Sequence, residues 1–93
     1  MKLQVKFTKK FRVDLKLAKK RNKDLTKLEI IIDKLAVGER LSVKHRDHQL
    51  VNYGEKGTRE CHIEADWLLV YWIDDNNLIL LLMRTGSHSD LFR

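Results

Sequence analysis

The fold is decided by residues 67–83, whose sequence is WLLVYWI-DDNN-LILLLM. Its two apolar runs, Trp67–Ile73 and Leu78–Met83, are separated by four residues that favour turns. This pattern predicts a central β-hairpin that is covered on much of both faces. Each run is far shorter than the roughly 20 residues that span a bilayer, so we expect no membrane segment.

The predicted hairpin brings polar residues together at one end of the sheet. If the loop is residues 74–77 and neither strand bulges, counting back from the turn pairs Trp67 with Arg84. Asp66 then faces Thr85, and His88 follows three residues later. We therefore expect Asp66, Arg84 and His88 to meet although they are distant along the chain.

The N-terminal half predicts one strand and two helices. Residues Leu3–Phe7 alternate apolar and polar side chains, as in a half-buried strand. Thr8 is a suitable N-cap for a first helix that ends near Arg21–Asn22. Asp24 is a suitable cap for a second helix, which Gly38 terminates. The short link between the helices predicts a helical hairpin.

The middle of the chain predicts a long connection and one further strand. Residues 39–58 lack a clear period, and we expect an irregular segment there. A strand resumes over Arg59–Ile63, with Glu60 and His62 on the face opposite the core and Cys61 facing the helices. The element order indicates an α+β fold, in which an N-terminal strand and a two-helix hairpin pack on a mainly antiparallel four-stranded sheet.

Size and charge limit the classes of protein to which the chain can belong. We expect residues 1–93 to form a single domain, because the chain is too short for two cores. The lone cysteine forms no intramolecular disulfide, so a reducing cytoplasm is expected. Residues 1–46 carry fifteen basic and five acidic side chains, whereas residues 47–93 carry four and eight. The first half therefore favours polyanionic partners, although exposed lysines also serve solubility alone.

The histidines are the candidates for acid–base chemistry. All four lie in the second half, and three neighbour an acidic residue: His48, His62 and His88. Cleavage of RNA by its own 2′-hydroxyl needs a base, an acid and cations around the phosphorane, and histidine supplies either proton role near neutral pH. The histidines with His45 also suit a metal site, but no compact Cys/His motif accompanies them.

Arginines and aromatic residues supply the other components of such a site. Arg59 and Arg84 are candidates for stabilising charge on phosphate. Trp67, Tyr53 and Phe92 are candidates for stacking on bases. Trp67 suits the hydrophobic core equally well, and Cys61 is expected to be a small core residue.

Four blocks of sequence carry a resemblance to a known family. They are RDHQL at 46–50, RECHI at 59–63, DWLLVY at 66–71 and RTGSHSDLF at 84–92. In these blocks the chain resembles the YafQ branch of the RelE-type toxins of bacterial type II toxin–antitoxin systems. Residues 51–57 depart from the family pattern by one additional residue. The resemblance implies a RelE-like fold and a ribosome-dependent mRNA endoribonuclease, which cuts A-site mRNA by 2′-hydroxyl attack without metal or other cofactor.

The resemblance also implies the roles of individual residues. The catalytic residues are expected to be His48, His62, Asp66, His88 and Arg84. Either Asp66 or His48 would be the base, His88 the acid, and Arg84 the contact to the scissile phosphate. The residues expected to bind RNA, including ribosomal RNA, are Trp67, Phe92, Arg59, Lys9, Lys10 and Lys16.

The partners implied are a cognate antitoxin, mRNA and the ribosome, with no membrane. The toxin would be a monomer when free and oligomeric with its antitoxin. One alternative is a RelE-fold protein that binds a partner or poisons gyrase without cutting RNA, which would not need the His/Asp/Arg set. Another is a nuclease that acts without ribosomes.

Overall fold

The computed structural model describes residues 2–92. Within them, five strands and three helices follow one another as β1 (Gln4–Phe7), α1 (Lys9–Lys20), α2 (Leu25–Ala36), β2 (His48–Gln49), β3 (Arg59–Glu64), β4 (Trp67–Asp74), β5 (Ile79–Gly86) and α3 (His88–Leu91). The strands form one sheet in the order β1-β5-β4-β3-β2, and only the β1–β5 pair is parallel. The predicted α+β class is confirmed, with five strands in place of four.

The two long helices begin at the predicted caps. The Thr8 hydroxyl accepts a hydrogen bond from the backbone N–H of Phe11 at 3.0 Å. The Asp24 carboxylate accepts one from Thr26 N–H at 3.0 Å. Each cap satisfies a backbone donor that has no partner inside its helix. Gly38 follows α2 with a φ of +78°, a conformation that glycine adopts without steric cost.

The helices cover one face of the sheet, and the main core lies between them and β4. Trp67, Leu69 and Tyr71 of β4 are buried there against side chains of α1 and α2 such as Phe11 and Leu28. None of the helices in residues 2–92 is long and apolar enough to cross a membrane.

The opposite face of β4 carries a second, smaller core. Leu68 and Val70 are fully buried beneath Leu91 of α3 and partly buried side chains of the 50–57 loop. Because both faces of β4 are covered, its apolar run is continuous instead of alternating. The prediction of a hairpin that is covered on both sides is confirmed.

The register of the hairpin differs from the predicted one. β4 continues through Asp74, whose carboxylate accepts hydrogen bonds from the amides of the turn, so the loop is residues 75–78. A bulge after Val70 adds a further offset, and Arg84 pairs with Val70. The predicted pairing of Trp67 with Arg84, and of Asp66 with Thr85, is therefore wrong.

The connection between α2 and β3 is more ordered than predicted. It contains a 3₁₀ turn at Val43–His45 and the two-residue strand β2, which pairs with the start of β3. So short a strand has no period of its own and depends on β3 for its hydrogen bonds. This pairing sets His48 opposite Glu60.

Candidate active site

Three histidines gather on the sheet face opposite α1 and α2. Cys61 and Ile63 of β3 belong to the helix-side core, so the alternation of the strand turns Glu60 and His62 to the other face. β2 adds His48 beside Glu60. α3 brings the His88 ring to 5.7 Å from the His62 ring, measured between centroids.

Glu60 lies at the centre of this cluster. Its side chain is only 5% exposed, and its Oε1 lies 3.5 Å from His48 Nε2 and 3.8 Å from His62 Nε2. A buried carboxylate needs polar partners, and the two imidazole nitrogens lie where they can provide them. Sequence reasoning placed Glu60 on this face but gave it no role. Its shared strand parity with His62 was the available signal.

His48 is oriented by the backbone that precedes it. Its Nδ1–H donates to the Arg46 carbonyl oxygen at 2.6 Å, which leaves Nε2 directed at Glu60. Arg46 itself adopts a left-handed conformation with a φ of +46°. A non-glycine residue in this region is uncommon. The turn therefore holds the carbonyl where it selects the His48 tautomer.

His88 is held by Asp66. The backbone N–H and the ring Nδ1–H of His88 both donate to Asp66 Oδ1 at 3.0 Å. The backbone hydrogen bond lowers the pKa of Asp66 most, and the ring hydrogen bond lowers it further. The Asp66 carboxylate is therefore ionised at neutral pH. The His88 side chain is 57% exposed, and its Nε2 is the ring nitrogen left to exchange protons with a substrate. The structure therefore does bring Asp66 and His88 together, despite the wrong register.

α3 is anchored to α1 by an ion pair. The Ser87 hydroxyl and the Asp90 carboxylate form a capping box at the start of α3. Asp90 also accepts a hydrogen bond at 2.7 Å from Nη1 of Arg21, the residue that caps the end of α1. The hydrogen bond from this guanidinium makes the largest contribution to holding the pKa of Asp90 far below its usual range, and the hydrogen bond from the Ser87 amide makes the next largest. The short helix that carries His88 is thus fixed from both sides.

Arg84 is bound by an acidic residue that sequence reasoning missed. Asp14 of α1 is nearly buried, and it accepts hydrogen bonds from Arg84 Nε at 2.7 Å and Nη2 at 3.0 Å. The same carboxylate accepts the Thr85 amide at 3.1 Å. Hydrogen bonding to Asp14, with a smaller contribution from Tyr53, raises the pKa of Arg84. Asp14 interrupts a strongly basic helix, and that break in pattern was the signal for it.

Phe92 and Tyr53 extend the cluster as a row of rings. The Phe92 ring lies 6.1 Å from the His88 ring and 5.5 Å from the Tyr53 ring. Phe92 is 39% exposed, so one part of its ring is accessible. The row provides apolar surface next to the acid–base groups.

Two residues expected to bind RNA do not join the cluster. Trp67 is 1% exposed on the helix side of the sheet, where it cannot stack on a base; the core alternative is correct. Arg59 shares the strand parity of Cys61, and its Nε pairs with Asp47 at 3.2 Å. Cys61 is fully buried as expected, and burial raises the pKa of its thiol to about 12.

The lysines expected to bind RNA lie on the outside of α1. Lys9, Lys10 and Lys16 are all exposed. They occupy the helix that Asp14 and Arg21 tie to Arg84 and α3. Two ion pairs thereby connect this cationic helix to Arg84 and to the helix that carries His88.

Comparison with known proteins identifies the family. The family described as "Bacterial toxin of type II toxin-antitoxin system, YafQ" matches residues 3–93. The chain belongs to the YafQ family. A curated relative, the mRNA interferase toxin YafQ of Escherichia coli strain B/BL21-DE3, is 37% identical over 90 residues, which cover 95% of this chain and 94% of the relative. The predicted RNA-cleaving toxin is therefore confirmed at the level of the family.

Solved structures of YafQ-like toxins share the fold. The E. coli DinJ–YafQ toxin–antitoxin complex matches with a TM-score of 0.89 and 34% identity over all of both chains. A metal-bound toxin from Helicobacter pylori matches with a TM-score of 0.91 and 43% identity, over 97% of this chain and 99% of that one. The YafQ/RelE-like fold predicted from the sequence blocks is confirmed.

One group of side chains in the histidine cluster could hold a metal ion. Within the described residues, Glu60, His62 and His88 each offer a ligand atom, and these atoms lie within 4.8 Å of one another. The predicted metal alternative combined His45 and His48 with His62 and His88, so this group shares two of the predicted ligands and adds Glu60. His45 Nδ1–H donates to the His62 carbonyl oxygen at 2.7 Å. The same groups suit proton transfer, so the cluster has two chemical uses that exclude each other.

Proposed function

We propose that the chain is an endoribonuclease that cleaves mRNA in the ribosomal A site without a metal ion, and that an antitoxin neutralises it. The proposal depends on the position of His88. Asp66 orients its ring, whose centroid lies 5.7 Å from that of the His62 ring. The family membership supports the reaction class. Because its substrate is translated mRNA, the toxin acts in the cytoplasm.

His88 is the general acid of the proposed reaction. Its Nε2–H donates a proton to the 5′-oxygen as the P–O5′ bond breaks. Asp66 holds Nδ1–H and stabilises the imidazolium before the transfer, as carboxylates do in other histidine dyads. The lowered pKa of Asp66 makes it a weak base, which leaves His48 as the better of the two predicted bases.

His48 is the general base. Its Nε2 takes the proton from the 2′-hydroxyl while the 2′-oxygen attacks phosphorus, so the products are a 2′,3′-cyclic phosphate and a 5′-hydroxyl. Glu60 lies 3.5 Å from this nitrogen and stabilises the imidazolium that forms. His62, which also faces Glu60, donates a hydrogen bond from its ring to a non-bridging phosphate oxygen.

The remaining residues bind the substrate. Arg84 keeps its charge at every physiological pH, and Asp14 fixes its guanidinium so that its remaining N–H groups contact the phosphate. Phe92 stacks on a base beside the scissile bond. Lys9, Lys10 and Lys16 bind the phosphate backbone of ribosomal RNA. Protein cations thus supply the charge that a metal would supply elsewhere.

Primer extension on a defined mRNA tests this proposal. Wild type, His88→Ala and the adjacent control Ser89→Ala are incubated with purified ribosomes stalled on one codon, and with the same mRNA free in solution. We expect cuts only on the ribosome, and a loss of roughly 10²-fold or more in rate for His88→Ala alone. Equal rates for the two variants would contradict the assignment of His88. Equal cutting of free mRNA would contradict the dependence on ribosomes.

A further inference from the structure

A pocket lined by three arginines lies at the β2 edge of the sheet. It has a volume of about 440 Å³, and it is formed by the segment that precedes β2, residues 40–47, and by the first residue of β3. Its charged side chains are those of Arg40, Arg46, Arg59 and Asp47. This arginine pocket therefore has an excess of positive charge and lies outside the histidine cluster.

The charges of two of these arginines are not compensated. Arg40 and Arg46 are exposed, and within the part of the chain that the structure describes they form no ion pair. Arg59 does form one, because Asp47 accepts its Nε–H at 3.2 Å. This ion pair fixes the Arg59 guanidinium, and N–H groups at the end of the side chain remain for an anion.

The donors of the arginine pocket suit a phosphate group. Phosphate oxygens accept the paired N–H groups of a guanidinium, so several arginines around one phosphate recognise its geometry as well as its charge. The Ser42 hydroxyl, which does not cap the 3₁₀ turn, offers a further donor. Among the described residues that line the pocket there is no Phe, Tyr or Trp ring on which a base could stack. The pocket therefore suits the backbone of a nucleic acid better than its bases.

The same segment orients the proposed general base. The Arg46 carbonyl oxygen accepts the Nδ1–H of His48 at 2.6 Å, and the left-handed conformation of Arg46 places it there. Asp47, which lies between these two residues in the chain, is the ion-pair partner of Arg59. An anion that joins the Arg46 and Arg59 side chains would thus tie the turn before His48 to β3.

We propose that the arginine pocket binds a backbone phosphate of RNA away from the scissile bond, and that the bound phosphate holds Arg46 in the conformation that orients His48. The inference rests on the proposed function, since it takes RNA as the ligand and His48 as the base. The phosphate belongs to mRNA beside the cleaved codon or to ribosomal RNA, and its recognition is the same in both. Docking on RNA thus increases the fraction of toxin molecules in which the base is oriented for the reaction.

Titration of the isotopically labelled full chain with inorganic phosphate tests the binding site. The variants are Arg40→Gln, Arg46→Gln and a control of equal charge change at an exposed position of α1, Arg12→Gln. We expect saturable NMR shifts of the amides around Arg46, a Kd raised roughly fivefold or more in both pocket variants, and a change of less than about twofold in the control. Sodium acetate at equal ionic strength is the matched anion. Acetate binding as tight as phosphate binding would overturn the proposal in favour of a protein carboxylate, and shifts confined to the α1 lysines would overturn the site itself.

Nitrogen NMR of the His48 ring tests the coupling to the base. Saturating phosphate should raise the fraction of neutral His48 that carries its proton on Nδ1, because the Arg46 carbonyl is then held in place. The response should be absent in Arg46→Gln, which separates it from phosphate bound directly at the histidines. A His48 tautomer that does not respond to phosphate in the wild-type chain would contradict the positioning role of Arg46.

RNA cleavage on ribosomes separates binding from positioning. Arg40→Gln should raise KM roughly fivefold and leave kcat within about twofold, because Arg40 makes no contact with His48. Arg46→Gln should also lower kcat by about threefold or more, since the turn before His48 is no longer held. Arg46→Lys keeps the charge without the planar guanidinium and should recover only part of the loss. A wild-type kcat in Arg46→Gln would overturn the positioning.

Methylphosphonate linkages, which remove the charge of one phosphate, distinguish the two sources of the ligand. They are placed one at a time on either side of the cleaved bond in a ribosome-bound mRNA. A linkage that slows the wild-type chain but not Arg46→Gln assigns the phosphate to mRNA, because the two changes then remove the same interaction. Equal effects on both chains at every linkage assign it to ribosomal RNA.

The outcome separates from that of the proposed activity. His88→Ala removes the general acid but leaves the arginine pocket intact, so it is expected to bind phosphate with wild-type Kd. A wild-type chain that binds phosphate in the pocket yet cuts no RNA would support the anion site and contradict the proposed function. A chain that cuts RNA while Arg40→Gln and Arg46→Gln behave as wild type would contradict only the inference.

Discussion

The two faces of the sheet differ although they are built from the same strands. On the helix side, Cys61, Leu69 and their neighbours are sealed by α1 and α2. On the other face, Leu68 and Val70 are covered only by α3 and a loop, and β3 presents Glu60 and His62 at the edge of that cover. Alternation along one strand thus separates a face that stabilises the fold from the face to which we assign the chemistry.

Substitution of Leu69 by Ala is expected to produce the largest effect on stability. The side chain is fully buried on the helix side, so its truncation leaves a cavity and lowers the free energy of unfolding by about 2–5 kcal/mol. Urea denaturation measures the change, with His88→Ala as the comparison from the other face. A stability loss for His88→Ala as large as that for Leu69→Ala would erase the distinction between the faces.

Substitution of Glu60 by Gln is expected to slow catalysis without unfolding the protein. Gln keeps the shape but not the charge that stabilises an imidazolium at His48, so the cleavage rate should fall by roughly 10- to 100-fold. The same chemical change at exposed Glu55 provides the control and should leave the rate within twofold. If Glu60→Gln cleaved RNA at the wild-type rate, the buried carboxylate would have no part in the reaction.

Zinc is expected to inhibit rather than activate the nuclease. An ion bound by Glu60, His62 and His88 would occupy the lone pairs that move protons. Micromolar ZnCl₂ should bind to this group and slow RNA cleavage at least threefold. A zinc-selective chelator in magnesium buffer should restore the rate. In His62→Ala the inhibition should weaken. Loss of activity on chelation of zinc from untreated enzyme would contradict the metal-free reaction.

Acid is expected to loosen α3 with only a small effect on global stability. The pKa of Asp90 is lowered in the fold, so its ion pair with Arg21 stabilises α3 fully above about pH 4, near the unfolded pKa, and this is lost as the pH falls through the lowered value. Amide shifts of Leu91 and Phe92 should follow this loss. In Arg21→Gln the midpoint should move to higher pH; an unchanged midpoint would exclude the ion pair as the cause.

The sequence predicted those elements whose signals are local. Thr8 and Asp24 were recognised as caps because each cap is a property of a few adjacent residues, and β4 because its apolar run is long. The meeting of Asp66 with His88 was also predicted, but for a partly wrong reason. The strand register is shifted from the predicted one, but the backbone N–H of His88 in α3 still donates a hydrogen bond to Asp66.

The features that the sequence did not predict depend on distant partners. The bulge after Val70 has no local signature, and β2 exists only because β3 offers it a partner. Burial of Asp14 requires Arg84, which lies 70 residues away. Trp67 has the chemistry of a stacking residue, and only its strand parity, set by the true register, assigns it to the core.

We propose that the open face of the sheet performs acid–base cleavage with His88 as the acid. An mRNA with sulfur in place of the 5′-bridging oxygen at the cleaved bond tests it most directly, because a thiolate leaves without being protonated. We predict that the defect of His88→Ala, roughly 10²-fold or more on the oxygen substrate, shrinks to less than about tenfold on the sulfur substrate. His48→Ala should remain slow on both substrates. An equal His88→Ala defect on the two substrates would contradict the claim.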